Sequence, residues 1–172
     1  MTKTLTIARA ALLAVALAGC ATDSGPDFAS LSGKLGPPRG GQARLVLLRE
    51  SSIELGSYNV KLDGTPLSGL KSSTYIYADV AAGTHQLTAD EIMFPGSSQH
   101  PVAMQPGRTY FVLVKRSDKS KTLMVMGAVG GLTGWAIGAL ATSKSENPGP
   151  LDFVPMDAAA AKSVMAEMTL GS

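Results

Sequence analysis

The chain has 172 residues, with 15 basic and 13 acidic side chains and a formal net charge of +2. One cysteine and two histidines provide no zinc-ligand spacing. The basic residues form no clustered patch of the kind that binds nucleic acid. The composition therefore argues against a metal site, a disulfide framework and a nucleic-acid partner.

Residues 1–19 have the layout of a secretory signal. Lys3 and Arg9 place positive charge ahead of a short apolar run at 10–18, which is well below the roughly 20 residues that span a bilayer as a helix. Small residues close the run, as in signals that a peptidase removes. Cleavage would also remove both positive charges, so the mature chain is expected to be close to neutral.

The sequence LAGC at 17–20 resembles the lipobox of bacterial lipoproteins, and Cys20 is the only cysteine of the chain. The resemblance implies cleavage between Gly19 and Cys20, a diacylglyceryl group on the Cys20 sulfur, and an acyl chain on its new amino group. This covalent lipid is the only cofactor expected. A buried core cysteine, or an ordinary signal with a chance cysteine, is the alternative interpretation.

The residue after the cysteine indicates the membrane to which such a protein is delivered. Gram-negative lipoproteins with aspartate at that position are usually kept in the inner membrane. This chain has Ala21 there, and its first aspartate in this region is Asp23. By resemblance to the sorting rule, we expect an outer-membrane lipoprotein on the periplasmic face.

Residues 20–42 are rich in Gly, Pro and Ser and predict a flexible tether between the lipid and a folded domain at 43–172. Phe28 and Leu31 are apolar and three residues apart. They are the side chains through which the tether would dock on the domain.

Short strands separated by Gly and Pro turns are predicted from residue 44 onward. The run 44–49 is apolar between two arginines, which indicates a strand buried on both faces. The segment 57–64 alternates between apolar and polar residues and ends at Asp63-Gly64, a strong hairpin turn signal. Further strands are predicted at 73–80, 84–90, 101–105, 108–116 and 152–155. This spacing indicates a mainly β fold, a small antiparallel sandwich or barrel.

A C-terminal helix is predicted over 156–169, with Asp157 at its N-terminus and Gly171 beyond its end. Four apolar residues share one face of this helix, which favours packing over the binding of a cofactor. They are Ala161, Val164, Met165 and Met168.

The segments VKLDGTPLSGL, TYIYADVAAGTHQLTA, PGRTYFVLVKR and PLDFVPMDAAAA together resemble a family of bacterial lipoproteins, domain of unknown function 2846. The Asp-Gly turn and the AAGTH region are also similar to small PEGA-type sandwich modules. The resemblance covers 44–168. It implies an immunoglobulin-like or transthyretin-like sandwich that packs and binds, with no established reaction.

An uncharged apolar segment rich in glycine lies at 122–143. A helix here would carry glycines at four-residue spacing, the pattern through which membrane helices pair. It resembles the glycine zippers of outer-membrane lipoproteins. The glycines expected to pack against another helix are Gly127, Gly130, Gly131, Gly134 and Gly138.

Three interpretations of this segment remain open. The favoured one is a membrane-embedded or self-associating helix, or a hairpin that turns at Gly130-Gly131. The second is an insertion that covers the surface of the domain itself. The third is a single transmembrane span, for which the segment is long enough.

No constellation of catalytic residues is recognisable. His85 and His100 are interpreted as core or surface residues, and no serine lies in a Gly-x-Ser-x-Gly elbow. The adjacent carboxylates Asp90 and Glu91 would point to opposite faces of a strand. The basic run 115–121 is interpreted as a solvated loop, with contact to an anionic membrane surface as the alternative.

The sequence therefore predicts a non-enzymatic, lipid-anchored lipoprotein of the cell envelope that acts as a binding or structural module. Its expected partners are the membrane, a second copy of the chain or another envelope protein, and no small-molecule substrate is identifiable. The alternative is an oligomerising lipoprotein that interacts with the membrane through the glycine-rich segment.

Overall fold

The computed structural model describes residues 28–53, 56–91, 94–141 and 149–171. The predicted signal, Gly19, Cys20 and the residues up to 27 lie outside the described residues. The described elements, in chain order, are α1 (Phe28–Leu35), β1 (Gln42–Arg49), β2 (Val60–Leu62), β3 (Thr65–Pro66), β4 (Thr74–Ala81), β5 (Gly83–Ala89), β6 (Ser98–Met104), β7 (Thr109–Arg116), α2 (Asp118–Ala141), β8 (Leu151–Met156), α3 (Ala158–Met165) and β9 (Thr169–Leu170). The predicted mainly β fold is confirmed.

The strands form two sheets, one with the order β8-β7-β1-β4-β9 and the other with the order β3-β2-β5-β6. β1 is antiparallel to β4 but parallel to β7, and β9 is parallel to β4. The first sheet is therefore mixed, and the predicted antiparallel arrangement holds only for its pairs β1–β4 and β7–β8. The reason is that the β5–β6 hairpin of the second sheet lies between β4 and β7. The connection from β4 to β7 is therefore long enough for β7 to run parallel to β1.

β1 is buried on both faces, as its apolar run between Arg44 and Arg49 predicts. Leu45 and Leu47 belong to the core between the two sheets. Val46 and Leu48 belong to a second core on the opposite face of the first sheet, which includes residues of α3. The first sheet is thus the middle layer between the second sheet and the helices α1 and α3.

The hairpin turn predicted at Asp63-Gly64 joins β2 to β3, with Leu62 paired to Thr65. Both turn residues have positive φ, 49° at Asp63 and 79° at Gly64. These values match a two-residue type I′ turn, in which Asp-Gly is a preferred pair.

The C-terminal helix is also confirmed, but it is shorter than predicted: Met156 is the last residue of β8 and Thr169 is the first of β9. Asp157 is its N-cap, and Oδ1 of Asp157 accepts hydrogen bonds from the N–H groups of Ala159 and Ala160, each at 2.9 Å. Such caps stabilise a helix by about 1 kcal/mol. Met165 and Met168 are buried against the first sheet.

Residues 20–42 were predicted to form a flexible tether, but Phe28–Leu35 form helix α1, which docks on the domain. Leu31 packs against the core between the first sheet and α3, as expected for a docking residue. At the end of α1, Nη1 of Arg44 donates to the carbonyl of Gly36 at 2.9 Å. A helix of this length is marginal by itself, so its stability comes from these tertiary contacts, which local composition does not report.

Candidate functional site

Helix α2 is the element most clearly built for an interaction outside its own domain. It has two parts. The root, residues 117–123, is held in the domain by buried contacts. The arm, residues 124–141, continues from the root and carries no charged residue.

Buried serines fix the start of the root. Ser117 donates from its N–H to the carbonyl of Pro150 at 3.0 Å and from Oγ to the carbonyl of Gly149 at 2.7 Å. The N–H of Ser120 donates to Oγ of Ser117 at 3.1 Å, so Ser117 caps the helix. Both serines are only 1 % exposed. These hydrogen bonds tie the start of α2 to the residues just before β8.

Two basic residues, one within the root and one just before it, hold the root in place. Lys119 is 7 % exposed, and its Nζ donates to the carbonyl of Pro95 at 2.9 Å while lying 5.7 Å from the Phe94 ring centroid. Arg116 forms an ion pair with Glu91. Contacts of this kind order the side chains and let a cation rest against an aromatic face.

The interpretation of 115–121 as a solvated loop is therefore wrong. These residues form the end of β7 and the beginning of α2. The side chains of Ser117 and Lys119 hold the helix in place, because they donate hydrogen bonds to the carbonyl groups of neighbouring loops.

The arm exposes large apolar side chains to solvent. Val125 is 62 % exposed, Val129 is 86 % exposed and Leu132 is 86 % exposed. A surface helix of a soluble domain normally presents polar residues on its outer side, so this arm has the character of a contact surface. Among the described residues, no helix is both long enough and apolar enough to cross a membrane.

The arm is interrupted at Gly131, which has φ 57° and ψ −142°. The break lies where the hairpin interpretation places a turn. An added Cβ at Gly130 or Gly131 would meet no atom within 4 Å, so in the described chain nothing packs closely against these two glycines. Gly127, Gly134 and Gly138 also lie in α2, and packing of this glycine set against another helix stays a prediction.

His85 has a structural role at the surface of the second sheet. Its Nδ1 lies 2.5 Å from Oδ2 of Asp63, and its Nε2 lies 2.8 Å from the carbonyl of Ala81. Both partners accept hydrogen bonds, so the imidazolium form satisfies both. The Asp63 carboxylate, helped by the Ala81 carbonyl, raises the pKa of His85, and the His85 hydrogen bond lowers the pKa of Asp63.

The other predicted polar candidates are separated in the structure. Asp90 pairs with Lys61 at 2.6 Å, whereas Glu91 pairs with Arg116. The ring of His100 lies beside Phe153, with centroids 6.3 Å apart. The described part of the chain contains no group of three or more His, Cys, Asp or Glu side chains placed to hold a metal ion.

Comparison of the chain with protein-family models finds no match, and a search of the curated proteins finds none either. Its function is therefore inferred from its own residues.

Sequence reasoning missed the buried root of α2. Ser117, immediately before the first turn, is a capping signal that could have marked the start of the helix. The burial of Lys119 has no comparable signal, because its acceptor at Pro95 lies on a loop remote in sequence.

Proposed function

We propose that this chain is a lipid-anchored lipoprotein of the cell envelope, held in the outer membrane through Cys20 with its domain facing the periplasm. It acts as a non-enzymatic binding or structural module. We further propose that it is related to the domain of unknown function 2846 lipoproteins and the PEGA-type modules, with an immunoglobulin-like or transthyretin-like sandwich. The two packed sheets support this relationship.

The observation that carries the proposal is the exposed apolar arm on a domain so near its predicted anchor. Only residues 21–27 separate Cys20 from α1, a reach of roughly 30 Å even when fully extended. A lipid at Cys20 would therefore keep the domain beside the bilayer. Two or three acyl chains anchor stably, since each buried methylene contributes about 0.8 kcal/mol.

The polar groups of the domain support a non-enzymatic role. His85, Glu91 and Lys119 all make contacts that join neighbouring loops and strands. A general acid or base needs a position within hydrogen-bonding reach of a substrate. These three side chains are instead placed where they stabilise the fold.

Membrane fractionation of variants at the anchor tests this proposal. We expect the wild-type protein in the outer-membrane fraction, the Cys20→Ser variant outside the membrane fractions, and Ala21→Asp in the inner membrane. Ala21→Ser is the matched control and should stay with the wild type. Identical fractionation of the wild type and Cys20→Ser would contradict anchoring through this residue.

A second candidate function is favoured by the exposure of Val125 and Val129. In this alternative the arm binds the membrane or a second copy of the chain, since burial of apolar surface contributes roughly 25 cal/mol per Å². The protein would then act as an oligomerising, membrane-interacting lipoprotein.

Replacing both arm valines with serine tests the second candidate. Val125→Ser with Val129→Ser should reduce vesicle flotation or oligomer size of the Cys20→Ser protein, with no loss of folding stability because both side chains are exposed. Val154→Ser on β8, also an exposed valine, is the control. Gly130→Leu separates the two modes, since it should disrupt close helix pairing and spare simple membrane insertion. Unchanged flotation and oligomer size in the double variant would argue against any role of the arm.

A further inference from the structure

The first sheet has an open edge along the second half of β4. On one side β4 pairs with β1 along its whole length. On the other side β9 covers only Thr74 and Tyr75. Beyond Tyr75, no described strand pairs with this side of β4, and residues 77–80 are half-buried.

The hydrogen bonds to β9 show which backbone groups point outward. The N–H of Thr169 donates to the carbonyl of Ser73 at 3.2 Å, and that of Gly171 donates to the carbonyl of Tyr75 at 2.8 Å. Backbone direction repeats at every second residue of a strand. The N–H and C=O groups of Tyr77 and Asp79 therefore point to the same open side, which gives two donors and two acceptors.

A cleft of about 230 Å³ opens beside these groups, between the two sheets. Most of its lining residues are of apolar type, and they come from β1, from β4 and from the segment after β3; they include Leu45, Leu47, Ile76, Ala78, Leu67 and Ser68. An apolar cavity of about 150 Å³ is known to accept a benzene molecule. This cleft is therefore large enough for one branched aliphatic or aromatic side chain.

On the other face of β4, the charge of Asp79 is already paired with that of Arg44. Asp79 receives two hydrogen bonds from Arg44, at 2.6 and 2.7 Å, and the Arg44 guanidinium lies 5.4 Å from the centre of the Tyr77 ring. A charged side chain on an added strand would find its counter-charge already engaged. This face therefore favours an uncharged polar residue at the alternate positions of a binding segment.

We propose that the edge from Tyr77 to Asp79 docks an extended segment of a partner protein, which adds to the first sheet as a strand and places one apolar side chain in the cleft. Strand addition uses backbone hydrogen bonds for affinity and a pocket for specificity. An added strand would continue the ladder that β9 begins on the same edge. The inference rests on the proposed function, since it gives the binding module its contact surface.

An extended peptide segment is the occupant that fits both features. Its backbone supplies donors and acceptors at the repeat of Tyr77 and Asp79, and its alternate side chains point into the cleft and away from it. A lipid chain would fill the cleft and leave the backbone groups unpaired. An alternating Thr/Val sequence has the required pattern.

Amide hydrogen exchange with a defined peptide tests the proposal. The full-length lipidated chain in detergent micelles is mixed with the capped heptapeptide Thr-Val-Thr-Val-Thr-Val-Thr. We expect exchange at the Tyr77 and Asp79 amides to slow at least tenfold. The Ile76 and Ala78 amides, which face β1, should change little. The same peptide N-methylated throughout lacks the backbone donors and should not protect the edge.

Two tryptophan variants locate the binding. Ser68→Trp fills the cleft from its exposed rim and should weaken peptide binding at least tenfold. Gln99→Trp on the exposed face of β6 is the matched control and should bind as the wild type does.

Three outcomes would overturn the proposal. The first is unchanged exchange at Tyr77 and Asp79 in the presence of the peptide. The second is equal binding by the N-methylated peptide, which would indicate capture of an apolar group alone. The third is a concentration-dependent dimer that Ser68→Trp abolishes, which would assign the edge to a second copy. Fatty-acid labelling of the same preparation reports the anchor separately, so failure of the edge is distinguishable from failure of the lipoprotein proposal.

Discussion

At the scale of single residues, several charged side chains of this protein hold loops together. Arg49 is an example at the end of an apolar strand. Its guanidinium lies 3.7 Å from the centre of the Tyr58 ring and donates to the carbonyls of Gly56 and Leu70. A planar guanidinium can stack and donate at once. In the sequence Arg49 marks the end of an apolar run, but in the structure its side chain is part of the core.

The His85–Asp63 contact gives the fold a pH-dependent contribution to stability. The pKa of His85 is raised, so its contribution is complete below about pH 6.5 and is lost as pH rises through the raised value. The pKa of Asp63 is lowered, so its contribution is present above about pH 3.9 and is lost as pH falls through the lowered value. The contact therefore stabilises the fold most between these two pH values.

We expect His85→Gln to reduce the free energy of unfolding more at about pH 5.5 than at about pH 8.5, because the contribution of the imidazolium is lost as pH rises through the raised pKa of His85. Urea unfolding at both pH values measures this difference. Asp63→Asn should remove the same pH dependence. The effects of the other titrating groups are common to the wild type and the variants, so they cancel in the comparison. Equal losses at the two pH values would contradict a role for the charged histidine.

At the scale of elements, the root of α2 should be sensitive to one lysine and indifferent to its neighbour. Lys119→Ala removes the buried bond to Pro95 and the contact with Phe94, and should cost about 1–3 kcal/mol. Lys121→Ala is the control, because Lys121 is exposed and pairs only with Asp118 among the described contacts; it should cost less than about 0.5 kcal/mol. Chemical denaturation compares the two variants. Equal costs would mean that the root is not held by Lys119.

Elements whose signals are local were predictable from the sequence. β1 was recognisable because both of its faces are apolar, the β2–β3 turn because Asp-Gly adopts positive φ, and α3 because its cap and apolar face coincide. These features depend on residues within one turn or strand. Propensity and periodicity therefore report them directly.

Elements that depend on distant contacts were not predictable. The parallel pairing of β1 with β7 is decided by the path of the chain between them. The docking of α1 depends on Leu31, which packs against residues of the first sheet and α3 far along the chain. The edge of β4 is open because β9 is short, and no sequence pattern within β4 predicts the length of β9. The cleft beside it needs two sheets to be packed first.

At the scale of the whole molecule, the described surface offers two contact features of different chemistry. The arm of α2 presents apolar side chains without backbone hydrogen-bonding groups, because its backbone is helical. The β4 edge presents backbone groups beside an apolar cleft. The first suits a bilayer or another helix, and the second suits an extended protein segment.

In our proposals, both surfaces belong to a domain that a lipid on Cys20 holds at a membrane. Residues 21–27 separate Cys20 from α1, so a lipid on Cys20 would keep the domain close to the bilayer. The chemical state of Cys20 is therefore the most direct test.

The deciding measurement is the mass of the N-terminal peptide from protein extracted from cell membranes. We expect a chain that begins at Cys20 and carries a diacylglyceryl group on sulfur and an acyl chain on the amino group, with no such peptide from Cys20→Ser. A chain that retains residues 1–19, or that begins elsewhere with a free thiol at Cys20, would contradict the proposed anchor.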